Sequence, residues 1–182
     1  MNTAHTSPAE LELGQALRLD SQLCFALHAA ARAFDGVYRH TLRDSGLTYP
    51  QYLVLLVLWE HGEVSVKELG RGLRLDSGTL SPLLKRMETA GWVERRRDEA
   101  DERSVVVRAT DEGVALRERV CVVPESTVDS TGMSIAEMGE LRERLKALTE
   151  SLDSAAERLS SANAEAGAGA NAKKGATAGA AA

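Results

Sequence analysis

Residues 65–109 read SVKELGRGLRLDSGTLSPLLKRMETAGWVERRRDEADERSVVVRA. A serine cap at Ser65 opens a short helix to residue 73, because its side-chain oxygen can take a free N–H of the first turn. Arg74-Leu75-Asp76 reads as a turn. A second helix starts near Ser77 and ends at Gly91, the residue type best suited to the left-handed position that closes a helix. Pro82 falls within its first turn or so, where a missing N–H is tolerated. The period then changes to two over 92–97 and 104–109, with Val105 and Val107 alternating with other residues. The six residues between these runs are polar apart from Ala100, so the pair reads as a β-hairpin with a long charged tip.

Helix, short turn, helix and hairpin, in that order, make a winged helix-turn-helix, whose second helix enters the major groove of DNA. The early exposed positions of that helix are Asp76, Ser77, Gly78, Thr79, Ser81 and Pro82. Short hydroxyls at a helix N-terminus suit base edges and phosphates. Lys85 and Arg86 follow as candidates to clamp phosphates or read guanine. Arg95, Arg96 and Arg97 run along the strand toward the tip and would add phosphate contacts. At the tip, Arg103 is a candidate for a narrow minor groove, with Asp101 placed to orient it. Taken singly, each of these residues is more often a solvated surface group; the order of the elements gives them meaning together.

Charge supports a local DNA face. The chain carries a net charge of −5 over 182 residues, which argues against a protein that coats nucleic acid throughout. Residues 64–108, however, hold ten Lys or Arg against eight Asp or Glu. The basic share is concentrated where the motif lies.

Outward from the motif, Asp20 reads as the N-cap of a helix from about 21 to 45, with a wide apolar stripe that Gly46 ends. Thr48-Tyr49-Pro50-Gln51 is a capping box with Pro50 in the first turn. The run 53–59 is apolar on nearly all faces and belongs at the centre of a small domain. Thr110 caps a helix with Asp111 and Glu112 well placed in its first turn. Residues 124–132 read as a break, and Ser134 to Glu137 as another capping box. The next helix carries Met138, Leu141, Leu145, Leu148 and Leu152 as a narrow seam for a partner helix. The Ala/Gly-rich stretch 161–182 is expected to be disordered. There is no internal repeat, no basic-apolar leader and no run near the ~20 apolar residues of a membrane span. These features predict a cytoplasmic protein that does not engage a membrane. The four histidines and two cysteines form no ligand-spaced set, so neither a metal nor a cofactor is expected.

Asp101-Glu102-Arg103-Ser104, after Leu75-Asp76-Ser77-Gly78-Thr79-Leu80, resembles the MarR family of winged-helix regulators. Upstream, Leu23-Cys24-Phe25, the run Leu47-Thr48-Tyr49-Pro50-Gln51-Tyr52-Leu53 and Leu58-Trp59-Glu60 resemble that family's organic hydroperoxide-sensing (OhrR) repressors. The resemblance covers about 19–119. It implies a mainly α fold with a small β-wing, and a MarR-like dimer with N- and C-terminal dimerisation helices. The corresponding domains are an extension (1–18), a MarR-type domain (19–160) and the tail (161–182). Within the domain, 64–109 is the winged helix-turn-helix, and 19–45 and 111–160 are dimerisation helices.

The resemblance also implies a repressor that binds a pseudo-palindromic operator in double-stranded DNA as a homodimer, with an organic hydroperoxide as inducer. Cys24 takes the place of the reactive cysteine, and Tyr38 and Tyr49 of two tyrosines that bond it from the partner subunit. A third family tyrosine is replaced by His28, whose imidazole can still donate a hydrogen bond. Some members resolve the oxidised cysteine with a second cysteine and others with an external thiol. Cys121 and a low-molecular-weight thiol therefore both stay open as resolving partners.

The residues agree with this placement of Cys24: the positive end of a helix favours a thiolate, and apolar neighbours Leu23, Phe25 and Leu27 suit an organic peroxide. The bland reading, a small core cysteine, is the commonest fate of a free thiol. Two rivals remain. One is a regulator of the same fold that answers a small phenolic ligand, with Cys24 incidental. The other is a thiol peroxidase, for which the wing and recognition helix would have no use; the expectation is that the chain is not an enzyme.

Overall fold

Five helices begin where a side chain takes over N–H groups that a first turn leaves free, one of them at Asp76, which accepts from the N–H of Thr79 at 2.9 Å. Ser65 accepts from the N–H of Glu68 at 3.1 Å while Glu68 accepts from the N–H of Ser65 at 3.1 Å. Ser134 and Glu137 exchange the same pair of bonds at 3.3 and 2.8 Å. Gln51 accepts from the N–H of Thr48 at 2.8 Å, and Thr110 from the N–H of Gly113 at 3.1 Å. The computed structural model describes residues 15–98, 101 and 104–178, with backbone alone from 164 onward. Seven α-helices and a small sheet lie within the described residues.

The chain divides into two units, Met1–Ser130 and Thr131–Ala182. The first begins, among the described elements, with a 3-10 turn at Leu19–Ser21 and α1 at Leu23–Thr41, followed by another such turn at Arg43–Ser45. Then come α2 (Tyr49–His61), β1 (Glu63–Ser65), α3 (Val66–Leu73), α4 (Ser77–Thr89), β2 (Val93–Arg97), β3 (Val105–Ala109), α5 (Asp111–Arg119) and α6 (Val123–Thr131). The sheet is antiparallel in the order β1-β3-β2. Its register sets Glu94 opposite Arg108 and Arg95 opposite Val107.

The core of this unit gathers around α2. Tyr52, Val54, Leu55 and Leu58 are buried there with Leu69 of α3, Leu80, Leu83, Leu84 and Met87 of α4, Val93 and Val107 of the hairpin, and Leu116, Val120 and Val123. Burial of this kind contributes roughly 25 cal/mol per Å² of apolar surface removed from water, so α4 is fixed by its inner face while its outer face stays free. The second unit is α7, Ile135–Ala178, a single helix with no fully buried side chain among its described residues.

Three sequence expectations are corrected. The first helix starts at Leu23 with Gln22 as its cap residue, and ends at Thr41. Asp20 instead sits in the preceding 3-10 turn, where Arg18 grips it through two bonds of 3.0 and 2.7 Å. The stretch 124–132 contains α6: Pro124 is the second residue of that helix, a first-turn position where its missing N–H costs nothing, and Gly132 follows it in the left-handed region (φ 66°). The tail expected to lack order is helical through Ala178; alanine is the strongest helix former, and the tract continues an established helix without a new nucleus.

Candidate nucleic-acid interface and thiol site

The turn between α3 and α4 is built by backbone needs. Arg74 takes the left-handed conformation (φ 55°) that closes α3. The N–H of Leu75 then returns to the carbonyl of Gly70 at 2.9 Å. A Cβ at Gly70 would stand 3.0 Å from the Leu75 carbonyl oxygen, so the turn folds closely over this glycine. Asp76 is the N-cap of α4: it accepts from the Thr79 N–H at 2.9 Å and the Thr79 hydroxyl at 3.1 Å. These bonds, the N–H first, hold its carboxyl below the usual range. Asp76 and Thr79 thus set the start of the helix as well as lying on its exposed end. Ser77, Gly78, Ser81, Pro82, Lys85 and Arg86 are exposed on the outer face. Pro82 is the sixth residue of α4, in its second turn rather than its first, and it deprives the Gly78 carbonyl of a helix partner.

The hairpin stands beside that face. Arg95 reaches back to Glu88 of α4, with Nε and Nη2 on one carboxylate oxygen at 3.1 and 2.5 Å. Arg96 points to the other sheet face and forks onto Glu63 of β1 through two bonds of 2.9 Å. Arg108 pairs with Glu94 across the strands. Arg97 is exposed. At the tip, the Ser104 N–H donates to the Asp101 carbonyl at 2.8 Å, and the Asp98 N–H to the Ser104 carbonyl at 3.0 Å; Arg103 lies outside the described residues. Between α3, α4 and the hairpin runs an open cleft of about 860 Å³, with Lys67, Arg71, Ser77, Ser81, Arg95 and Asp101 on its walls.

The thiol site lies at the start of α1. Cys24 is the helix's second residue and is exposed. Gln22 does not cap the helix with its side chain; its amide donates to the carbonyls of Ala16 and Arg18 at 2.5 and 3.1 Å. The N–H groups of the helix's first turn are therefore left without a side-chain cap beside Cys24. His28, one turn on, is exposed as well. Tyr38 is on the same helix fourteen residues later, which at the α-helical rise is about 21 Å away. Its ring stacks on Tyr49 with centroids 4.2 Å apart. Burial first, then Tyr38 and Asp35, push the Tyr49 phenol above its ordinary value, so it is protonated at neutral pH and able to donate. Cys121 is exposed in the turn between α5 and α6.

A family model described as MarR family matches residues 47–105. The organic hydroperoxide resistance transcriptional regulator of Bacillus subtilis is 43% identical over 136 residues, covering 75% of this chain and 92% of that protein. The chain belongs to the MarR family. It is a transcriptional regulator of that family rather than an enzyme, and within the family it resembles the organic hydroperoxide type. The regulator TtmR of Methylorubrum extorquens is 52% identical over 134 residues, covering 74% of this chain and 69% of that protein. Among solved structures, reduced AbfR bound to DNA superposes with a TM-score of 0.63 at 36% identity, covering 77% of this chain and 98% of that one. AbfR is from Staphylococcus epidermidis.

Sequence reasoning missed the partners of the predicted groups. Glu88 and Glu63 are seven and thirty-three residues from the arginines they hold; no local pattern marks them, although hairpin register alone would have found Glu94 opposite Arg108. Tyr52 was read only as part of a motif. It is buried with its ring 6.1 Å from Tyr38, making a cluster of three phenols.

Proposed function

We propose that this chain is a redox-sensing repressor that binds a pseudo-palindromic operator as a homodimer when reduced and leaves it when Cys24 is oxidised by an organic hydroperoxide. The DNA face is the outer side of α4 with the hairpin. Ser77, Gly78, Thr79 and Ser81 are the groups for base edges and nearby phosphates, Lys85 and Arg86 for the backbone, and Arg103 for the minor groove. The likeness to a protein solved bound to DNA supports this reading.

The observation that carries the redox half is the separation of Cys24 from the tyrosines. Fourteen residues of one helix keep Tyr38 about 21 Å from Cys24, so a phenol–thiolate bond requires a second chain whose α1 runs antiparallel. The helix supplies the means: Leu23, Phe25 and Phe34 are exposed on it, and none of its residues is buried by its own chain. In the dimer, Tyr38 and Tyr49 of one subunit donate to the Cys24 thiolate of the other, with His28 nearby as a further donor. The thiolate attacks the terminal oxygen of the hydroperoxide. An S–O bond forms as the O–O bond breaks; the alkoxide leaves and takes a proton to become the alcohol, and Cys24 becomes a sulfenic acid. The phenol bonds to the thiolate are lost, the α1 helices settle in a second arrangement, and the spacing of the two α4 helices no longer fits one DNA turn. A low-molecular-weight thiol or Cys121 then resolves the sulfenic acid. A cytoplasmic setting fits the reduced resting state.

An operator gel shift with and without cumene hydroperoxide tests the proposal. The wild-type protein should release DNA on oxidation, and Cys24→Ser should stay bound. Release of Cys24→Ser as readily as wild type overturns the thiol mechanism. Release by a small phenolic ligand under reducing conditions would favour the regulator in which Cys24 is incidental.

A further inference from the structure

Three consecutive arginines, Arg95 to Arg97, suggest a strand that grips any DNA backbone. The structure qualifies this. Alternation along β2 sends Arg95 and Arg96 to opposite faces of the sheet, and each meets a glutamate from another element. Only the Arg95 side borders the cleft beside Ser77 and Ser81 of α4. There Glu88, on the same helix, takes both guanidinium contacts.

We infer that Glu88 is a specificity-determining residue: its carboxylate holds the Arg95 guanidinium against α4 and keeps this cation from binding DNA phosphate regardless of sequence. The inference rests on the DNA-binding reading above. Carboxylate and phosphate compete for the same fork of donors. For Arg95 to turn to a phosphate, it must abandon Glu88, and an unpaired carboxylate is then left facing a polyanion. The exchange gives no net gain of cation–phosphate pairing, so the counterion release that drives non-specific binding is withheld at this position. Both members are partly exposed, and pairs of this kind contribute little to folding. The hydrogen bond from Arg95, the largest influence on Glu88, holds its carboxyl below the usual range, so the pair persists at neutral pH.

The test compares the full-length wild type, Glu88→Gln, Arg95→Ala and the double variant on an operator duplex and a scrambled duplex, from ~50 to ~200 mM salt. Glu88→Gln should steepen the dependence of log K on log salt by about 0.9 for the scrambled duplex, the slope of one added phosphate contact. That corresponds to about five-fold tighter scrambled-duplex binding near physiological salt. The effect should vanish in the Arg95→Ala background, and Glu88→Ala should reproduce it in the wild-type background. An unchanged slope overturns the inference. So does an equal gain in the Arg95→Ala background, which would mean that Glu88 acts only as a negative charge. A wild-type protein that binds neither duplex overturns the DNA reading itself, and this inference with it.

Discussion

A methyl group added at Gly113 would stand 1.9 Å from the carbonyl oxygen of Trp92. That same carbonyl accepts the N–H of Thr110 at 3.1 Å, and the carbonyl of Gly113 accepts the indole N–H of Trp59 at 3.1 Å. The colliding atom belongs to backbone, so no side-chain rotation relieves the contact. Gly113→Ala should cost about 3 kcal/mol, at the upper end of overpacking changes, seen as a lower urea midpoint with unchanged slope. Gly139→Ala on α7, where nothing lies within 4 Å of the new methyl, should instead leave stability equal or slightly raised. At this scale the sequence is partly legible. The caps at Ser65, Thr110 and Ser134 could be read because their partners lie three residues away. Gly113 could not, since only the meeting of α5 with the start of β2 makes it irreplaceable. Asp20 looked like a cap of the same sort, but an arginine two residues before it competes for the carboxylate.

Among the elements, α4 divides its labour by face. Leu80, Leu83, Leu84 and Met87 fix it to the core, while Lys85 and Arg86 stand on the exposed side between those anchors. Lys85→Ala should therefore leave folding alone and weaken all duplexes by a similar factor, with the salt dependence shallower by about one unit. Titrations of operator and scrambled duplexes at several salt concentrations would check this, and a loss confined to the operator would make Lys85 a base reader. The helix-turn-helix and hairpin were legible because each boundary carries a chemical mark: Ser65, the turn at residues 74–76, Gly91 and the change of period. The three-residue β1 was not, as it is too short to show a period, and its strand character comes from pairing with β3. Nor was α6, where a proline and a glycine eight residues apart read as a break although one sits in a helix's first turn and the other follows its end. The arginine row was legible as composition, and its restraint by Glu88 and Glu63 was not.

For the whole molecule, the unburied helices matter most. α7 runs for 44 residues, about 66 Å at the α-helical rise. Leu141, Leu145 and Leu152 are exposed along it at heptad-like spacing, a seam that a second chain would cover. Leu145→Glu should shift the protein toward monomer in sedimentation velocity and abolish two-site operator binding; a fully retained dimer would move the interface off this seam. The seam itself could be read from spacing alone, but the helix could not be followed past residue 160, where composition suggests disorder and the chain continues as helix. The junction at Gly113 has a use beyond stability. Both of the protein's tryptophans meet that glycine, Trp59 through its indole N–H and Trp92 through its backbone carbonyl. The fluorescence of Trp59, whose indole N–H is bonded to Gly113, therefore reports from the place where α2 meets α5 beside the base of the hairpin. Each molecule carries an optical gauge of its wing's seating, readable during peroxide treatment without any added label.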